Sequence, residues 1–430
     1  MNLDRISKPS TRRRFLQAAG YSGLGLGLSG LTQASRSIAL TTQLPPIKVG
    51  ILHSLTGIMS FEEKSVVEAT MMAIDEINAL GGVLKRTIVP ILEDGQSDWP
   101  TFREKAIKLI RNDQVATVFG CWTSASRKSV LEPFESNNHL LWYPLSYEGQ
   151  ECSRNIIYTG SAPNQLIEPS IDWIRSRFPK KPIFLLGSDY VYPRTVNEII
   201  KAKLKRFPGL IVGEDYIPLG INEILPTIAK IQKLMPKGGV VYNSLNGDTN
   251  VAFFKELATK GLTPQKYPVV SVTLAEEEVF AIGTDYMEGH YAAWSYFQSV
   301  KSAANRKFVQ AFKAKYGKRR VVSDPMEAAY TAVYLWKQAV EKVGTADDIA
   351  AVRSAAIGQT FNAPSGPVKL HANHHLSKPC RIGQVQADGQ FKIVYETGAI
   401  VPKPWNQQVP ETKGFACDWS NPKRGGKYKA

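Results

Sequence analysis

From Ile47 to about Ala293, short runs of β-branched and aromatic residues alternate with longer amphipathic stretches. That pattern predicts a mostly parallel sheet whose strands are joined by crossover helices. Strands are expected at 48–52, 87–93, 115–119, 140–143, 182–186, 239–243 and 268–272. A helix over 65–80 follows from apolar Val66, Val67, Met71, Ile74 and Ile77, and it stops at Gly81-Gly82, a helix C-terminal signal. Another, over 101–111, starts behind Asp98 and Pro100, a cap and a first-turn proline. A second α/β unit begins after Pro163 and runs to about Met287, and 330–343 reads as helix. Beyond Gly366 the pattern changes to short strands, 381–385 and 391–395, around an Asp388-Gly389 turn. At 430 residues the chain exceeds one comfortable core, so two lobes are expected. No low-complexity linker separates them, which suits lobes that share several chain crossings and close about a hinge.

The first forty residues follow a different pattern. Thr11-Arg12-Arg13-Arg14-Phe15-Leu16 precedes an apolar, glycine-rich run from Ala18 to Leu31, then small residues at Ala34 and Ala39. This order predicts a twin-arginine signal peptide over 1–39, cut after Ala34 or Ala39. Five glycines between 20 and 30 argue against a membrane span, and the absence of cysteine there excludes a lipid anchor. The mature chain is therefore expected to be a soluble protein of the periplasm. The formal charge of +15 falls to about +10 without residues 1–39 but stays basic. The lysines and arginines look scattered along helix faces, so no nucleic-acid partner is expected. Four cysteines, at 121, 152, 380 and 417, lack metal spacing; an oxidising compartment permits bridges, and the sequence assigns no pairing.

Ligands of open parallel sheets bind beyond the carboxyl ends of the strands. There the chain carries Gly120-Cys121-Trp122-Thr123-Ser124-Ala125-Ser126 ahead of Arg127, then Pro144-Leu145-Ser146-Tyr147-Glu148-Gly149. Further on come Gly187-Ser188-Asp189-Tyr190-Val191-Tyr192-Pro193-Arg194 and Asn243-Ser244-Leu245-Asn246-Gly247-Asp248. Hydroxyls and free N–H groups at a helix start suit a carbonyl or carboxylate oxygen, although Ser124 or Ser126 also serves as a plain N-cap. Two tyrosine-rich loops supply flat walls and hydroxyls. Thr273 with Glu276 forms a capping box, so glutamates 276–278 read as a helix start. His371 and His374-His375 are irregularly spaced in a polar loop, and 93–98 lacks the terminal glutamate of a calcium loop. No Walker loop, dinucleotide fingerprint or nucleophile elbow occurs. No catalytic residue, metal or cofactor is expected.

Together these segments, with Ala162-Pro163-Asn164-Gln165, Asp324-Pro325-Met326-Glu327-Ala328-Ala329-Tyr330 and His374-His375-Leu376-Ser377-Lys378, give a resemblance along nearly all of 47–419. The chain resembles the substrate-binding component of urea ABC transporters, within the branched-chain amino-acid and amide-binding group of type I periplasmic binding proteins. The resemblance implies an α/β fold of two sheet lobes hinged by three crossings. The first lobe would comprise 46–162 and 288–361, the second 163–287 and 362–405, with a tail over 406–430. It implies a ligand held by Trp122, Thr123, Ser124 and Tyr143 from the first lobe and closed over by Tyr190 and Tyr192. Ser146, Tyr147 and Asn246, on the adjoining loops, complete the expected set. At Leu145-Ser146 the chain departs from the family's pattern. A dry site of hydroxyls and aromatic rings suits neutral, planar urea or a similar small amide. The implied partners are permease subunits in the inner membrane. Short-chain amides and branched-chain amino acids are the alternative ligands, an amide sensor the alternative role, and an amidase the enzymatic one.

Overall fold

The computed structural model describes residues 44–421 and 423–430, so the expected signal over 1–39 lies outside the described residues. Among those described, no helix is long and apolar enough to cross a membrane.

The chain alternates as its pattern requires. The first lobe is built from β1 (Ile47–His53), α1 (Ser60–Ala79), β2 (Ile88–Asp94), α2 (Trp99–Ile107), β3 (Val118–Gly120), α3 (Ser124–Ser136), β4 (Leu141–Tyr143) and β5 (Ile156–Tyr158). Its sheet runs β2-β1-β3-β4-β5, all parallel. The second lobe follows with α4 (Pro163–Arg177), β6 (Ile183–Ser188), α5 (Val191–Leu204), β7 (Ile211–Ile217), α6 (Leu225–Leu234), β8 (Val240–Ser244), α7 (Asp248–Thr259), β9 (Val269–Ser271), α8 (Glu276–Ile282), α9 (Thr284–Met287) and β10 (Tyr291–Trp294). The chain returns through α10 (Ala303–Tyr316), α11 (Asp324–Val343), α12 (Ile349–Ala356) and the hairpin β11 (Thr360–Ala363) and β12 (Gly366–Lys369). It then re-enters the second sheet as β13 (Arg381–Val385) and β14 (Phe391–Glu396). That sheet runs β14-β13-β10-β9-β8-β6-β7, with β13 and β14 antiparallel to the rest. The fold is the two-lobed α/β architecture expected.

Local chemistry explains the boundaries. Val49, Ile51 and Leu52 of β1 are all buried, as in a strand covered on both faces. α1 ends where Gly81 and Gly82 take φ of 99° and 77°, and the Gly82 N–H donates to the Ile77 carbonyl at 2.9 Å, closing a helix end that other residues strain to make. It begins earlier than expected, because Glu62 and Glu63 turn inward. Asp98 caps α2 by accepting from the Thr101 N–H at 2.9 Å. The helix gives way to one π-turn over Lys108–Asn112. In the second lobe α4 and α5 cover one sheet face and α6, α7 and α8 the other, each with its own apolar cluster.

Three segments pass between the lobes: 159–162, 295–302 and 377–380. The second crossing falls later than residue 288, because Tyr291–Trp294 pair with β9 and β13 inside the second sheet. The third falls later than residue 361, because Ala363, Val368 and Leu370 of the hairpin pack into the first-lobe core. Two buried cations tie the crossings together. Arg381 donates to the carbonyls of Ser295 and Ser365. Lys378 Nζ donates to the Thr159 carbonyl at 2.9 Å and lies 3.5 Å from Glu327.

The tail over 406–430 folds back on the body, with Asn406 donating to Glu168 at 3.1 Å. A disulfide joins Cys152 to Cys417, while Cys121 and Cys380 are buried thiols. Because the bridge anchors a terminal segment rather than the two sheets, reduction should free the tail first. Limited proteolysis after mild reduction is expected to remove residues near 406–430 while the lobes survive, with the stability lost by the docked tail on the order of 2–4 kcal/mol. Equal resistance of reduced and oxidised protein is the contrary result.

Candidate functional site

The first-lobe wall is set at the end of β3. A Cβ on Gly120 would lie 2.3 Å from the Leu52 carbonyl oxygen, so only glycine lets the turn pass β1 this closely. Thr123, not Ser124 or Ser126, caps α3: its hydroxyl accepts from the Ser126 N–H at 3.0 Å. Thr123 is thereby committed to the helix and does not line the cavity. One residue on, the Ser124 hydroxyl donates to Glu148 and accepts from Arg127 Nη1 at 3.0 Å.

Arg127 is fully buried beneath this wall. Its guanidinium meets Glu148 at 2.9 Å and Glu151 at 2.8 Å, and stands 4.9 Å from the Tyr143 ring centre and 4.7 Å from that of Tyr147. Burial alone would raise the Glu151 carboxyl, but Arg127 and Lys128 outweigh it and hold the group at about 2. Tyr143 donates to the Trp122 carbonyl at 2.7 Å, fastening β4 to the turn after β3. Tyr147 faces away from the cavity. Its hydroxyl donates to the Glu151 carbonyl at 2.9 Å, and its ring stacks on Tyr158 at 4.8 Å. Tyr147, expected among the ligand contacts, is not among the residues lining the cavity; it completes a stack with Tyr158 and His375. His374 and His375 are likewise buried, not in a solvated loop, and burial lowers both imidazoles to about 3.

Between the lobes lies a small enclosed cavity. The first lobe lines it with Trp122, Ser124, Tyr143, Leu145 and Ser146. The second contributes Tyr190, Tyr192, Asn246, Val272, Thr273 and Trp294. Asn246 is placed by its own N–H on the Ser188 hydroxyl at 2.9 Å, and its side-chain amide donates to the Tyr190 hydroxyl at 3.2 Å. The Tyr192 hydroxyl is buried without a hydrogen-bond partner among the described residues. Leu145 comes from the loop after β4, and Val272 and Thr273 from the loop ahead of α8, segments the sequence already singles out, whereas Trp294 does not. α8 is capped by Glu278, which accepts from the Ala275 N–H at 2.8 Å, and not by Thr273. Trp294 sits on β10, a strand too short to stand out.

Among the described residues, no charged side chain lines the cavity. The cavity is small, about 20 Å³ of space for the centre of a water-sized sphere. Beside it, the Ser65 hydroxyl of the first lobe donates to Glu277 of the second at 2.5 Å. Burial and the nearby Glu278 carboxylate push Glu277 up to about 8. Among the described residues, no group of three or more histidine, cysteine or acidic side chains is placed to hold a metal.

A family model described as a periplasmic binding protein domain matches residues 47–411. The chain belongs to the periplasmic binding protein family. Such proteins bind solutes without transforming them, and this chain is a binding protein, not an enzyme. Over 326 residues it is 25% identical to the Leu/Ile/Val-binding protein BraC3 of Rhizobium johnstonii, spanning 72% of this chain and 83% of that one. A 121-residue stretch is 37% identical to a protein named limonene hydroxylase from Geobacillus stearothermophilus. That match spans 28% of this chain and only 22% of the other. The fold is similar to that of an ABC transporter solute binding protein from R. palustris in complex with benzoate, with a TM-score of 0.75 at 20% identity, covering 83% of this chain and 98% of that one.

Two outcomes are expected. Replacing Arg127 with methionine leaves two carboxylates buried beside a neutral chain, and chemical denaturation should show a loss of about 3–5 kcal/mol. Glu277 has a folded value near 8 against about 4.3 when unfolded, so the folded state holds the extra proton between them. Its stability contribution is full below about pH 4.3 and is lost as pH rises through 8. The thermal midpoint of Glu277→Gln minus that of the parent should therefore climb between about pH 5 and 8; a flat difference would contradict the assignment.

Proposed function

We propose that this periplasmic binding protein binds urea in the inter-lobe cavity and delivers it to the permease subunits of an ABC importer in the inner membrane. In this reading the chain reaches the periplasm by the twin-arginine route. The observation that carries the ligand choice is a tiny cavity lined entirely by uncharged groups. A benzoate or amino-acid ligand brings a carboxylate, which the head of α3 meets only with hydroxyl and main-chain N–H groups. The neighbouring Arg127 is already engaged by Glu148 and Glu151, and an ammonium would find no carboxylate among the lining residues. Urea brings one carbonyl acceptor and two amino groups with no charge. Ser124, Ser146, Tyr190, Tyr192, Asn246 and Thr273 offer hydroxyl and amide partners at matching scale, and the rings of Trp122 and Tyr143 exclude water. The Tyr192 hydroxyl, buried beside Ser146 without a close protein hydrogen bond, supplies a further polar partner.

A short-chain amide is the second reading. Leu145 and Val272 give an apolar wall against which a methyl group in place of one amino group would pack.

Titration calorimetry with urea, acetamide, leucine and benzoate separates these readings. Saturable one-to-one binding of urea, recovered unchanged, is expected. Saturable binding of leucine with no response to urea would overturn the choice. Tyr192→Phe should weaken urea binding by roughly tenfold, the worth of one hydrogen bond in a dry site, while the thermal midpoint of the ligand-free protein stays put.

A further inference from the structure

The strands β6, β7, β8 and β9 run parallel. The turns leading into them therefore gather at one end of the second lobe, opposite the end that carries Tyr190, Asn246 and Thr273. Those turns are basic. Residues 175–181 read Arg-Ser-Arg-Phe-Pro-Lys-Lys, and 205–210 read Lys-Arg-Phe-Pro-Gly-Leu; Lys237 and Lys266 precede β8 and β9. None of the residues in 175–181, 205–210, 235–239 or 260–268 is acidic.

These cations are unusual in how they are held. Lys203, just upstream, pairs with Glu168 and Asp172, and Lys260 pairs with Glu256. Arg175, Arg177, Lys180, Lys181, Lys205 and Arg206 take part in no ion pair among the described residues. Aromatic rings stand where carboxylates would. The Arg175 guanidinium lies 3.7 Å from the centre of the Phe207 ring, and Arg206 lies 5.2 Å from the same ring. Such contacts fix a cation without neutralising it. Between the two basic turns runs a groove of about 590 Å³, floored by Phe178, Pro179, Phe207, Pro208 and Leu210. A second groove of about 450 Å³ shares Phe178 and Lys181 and extends to Pro264 and Gln265. Asp172, three residues ahead of the first basic turn, is taken up by Lys203, and Glu288 and Asp388 lie at this same end on the turns of the β10 and β13–β14 edge.

We propose that this end of the second lobe is a docking surface for an anionic lipid headgroup layer. The charge is spread over four adjacent turns, wider than one small anion can span, and so fits an extended partner. Arginine and lysine donate to phosphate oxygens, each cation near such a surface strengthening adsorption about fivefold, and the phenylalanine and proline groove suits the boundary between headgroups and chains. Strands of this length put about 17–20 Å between the docking end and the cavity, so solute binding is left free whatever the solute proves to be.

Vesicle co-sedimentation of the full chain tests the proposal, using phosphatidylcholine with and without roughly one third phosphatidylglycerol. Retention on the anionic vesicles should exceed that on neutral ones by about tenfold or more, and raising NaCl from about 20 to about 300 mM should abolish the difference. The triple variant Lys180→Glu, Lys181→Glu, Arg206→Glu should lose the anionic preference while its affinity for urea stays within about twofold. Both chains keep residues 1–43, so their difference reports on this face alone. Equal retention of parent and variant would overturn the proposal, as would no retention on either vesicle, which would point to an acidic protein surface instead. Failure of urea binding with vesicle binding intact would sink only the solute assignment.

Discussion

The Arg127 guanidinium is wholly enclosed, and the first-lobe wall of the cleft is arranged around it. Taking such a group out of water is costly, and the cost is offset only by close, well-oriented partners. Glu148, Glu151, the Ser124 hydroxyl and the faces of Tyr143 and Tyr147 supply them. Each partner is thereby fixed in turn: Ser124 at the head of α3, Glu148 on the loop after β4, Tyr143 at the end of β4 itself. Because the positive charge is consumed inside the wall, the surface it presents to the cavity is neutral. Structural ionic pairing and a non-ionic binding site are two faces of one arrangement.

The same economy of charge recurs at the crossings. Lys378 and Arg381 are nearly inaccessible to solvent, and each joins main-chain carbonyls to one carboxylate: Lys378 holds Thr159 and Glu327, and Arg381 holds Ser295, Ser365 and Glu396. A carbonyl gives a strong, charge-assisted bond without fixing a second side chain. This places Tyr190, Asn246 and Trp294 opposite Trp122 and Ser124 without a continuous core between the lobes.

Much of this order is legible along the chain, and the exceptions have physical causes. Buried parallel strands such as β1, β6 and β8 announce themselves as short apolar runs. β7 hides behind Glu214 and Asp215 because it is an edge strand, and β5 and β10 are too short for periodicity to register. The strand-end loops pointed to the cleft, so Trp122, Ser124, Tyr143, Ser146, Tyr190, Tyr192 and Asn246 were reachable by the rule that ligands sit beyond strand ends. Which residues of a loop face inward is decided by partners far off in sequence. Thr123 turns to the helix because Ser126 needs a cap, and Tyr147 turns to His375, 228 residues away. The basic pole was invisible for a similar reason: its lysines and arginines look scattered until parallel strands bring four separate turns side by side.

The Cys152–Cys417 bridge carries a further meaning. Its two thiols are distant in sequence and meet only once the tail has settled against the finished body, and a reducing cytoplasm would keep them apart chemically even then. The bond lasts only in an oxidising compartment. Under the proposed export route, the oxidation state of this one pair would distinguish molecules on the two sides of the membrane.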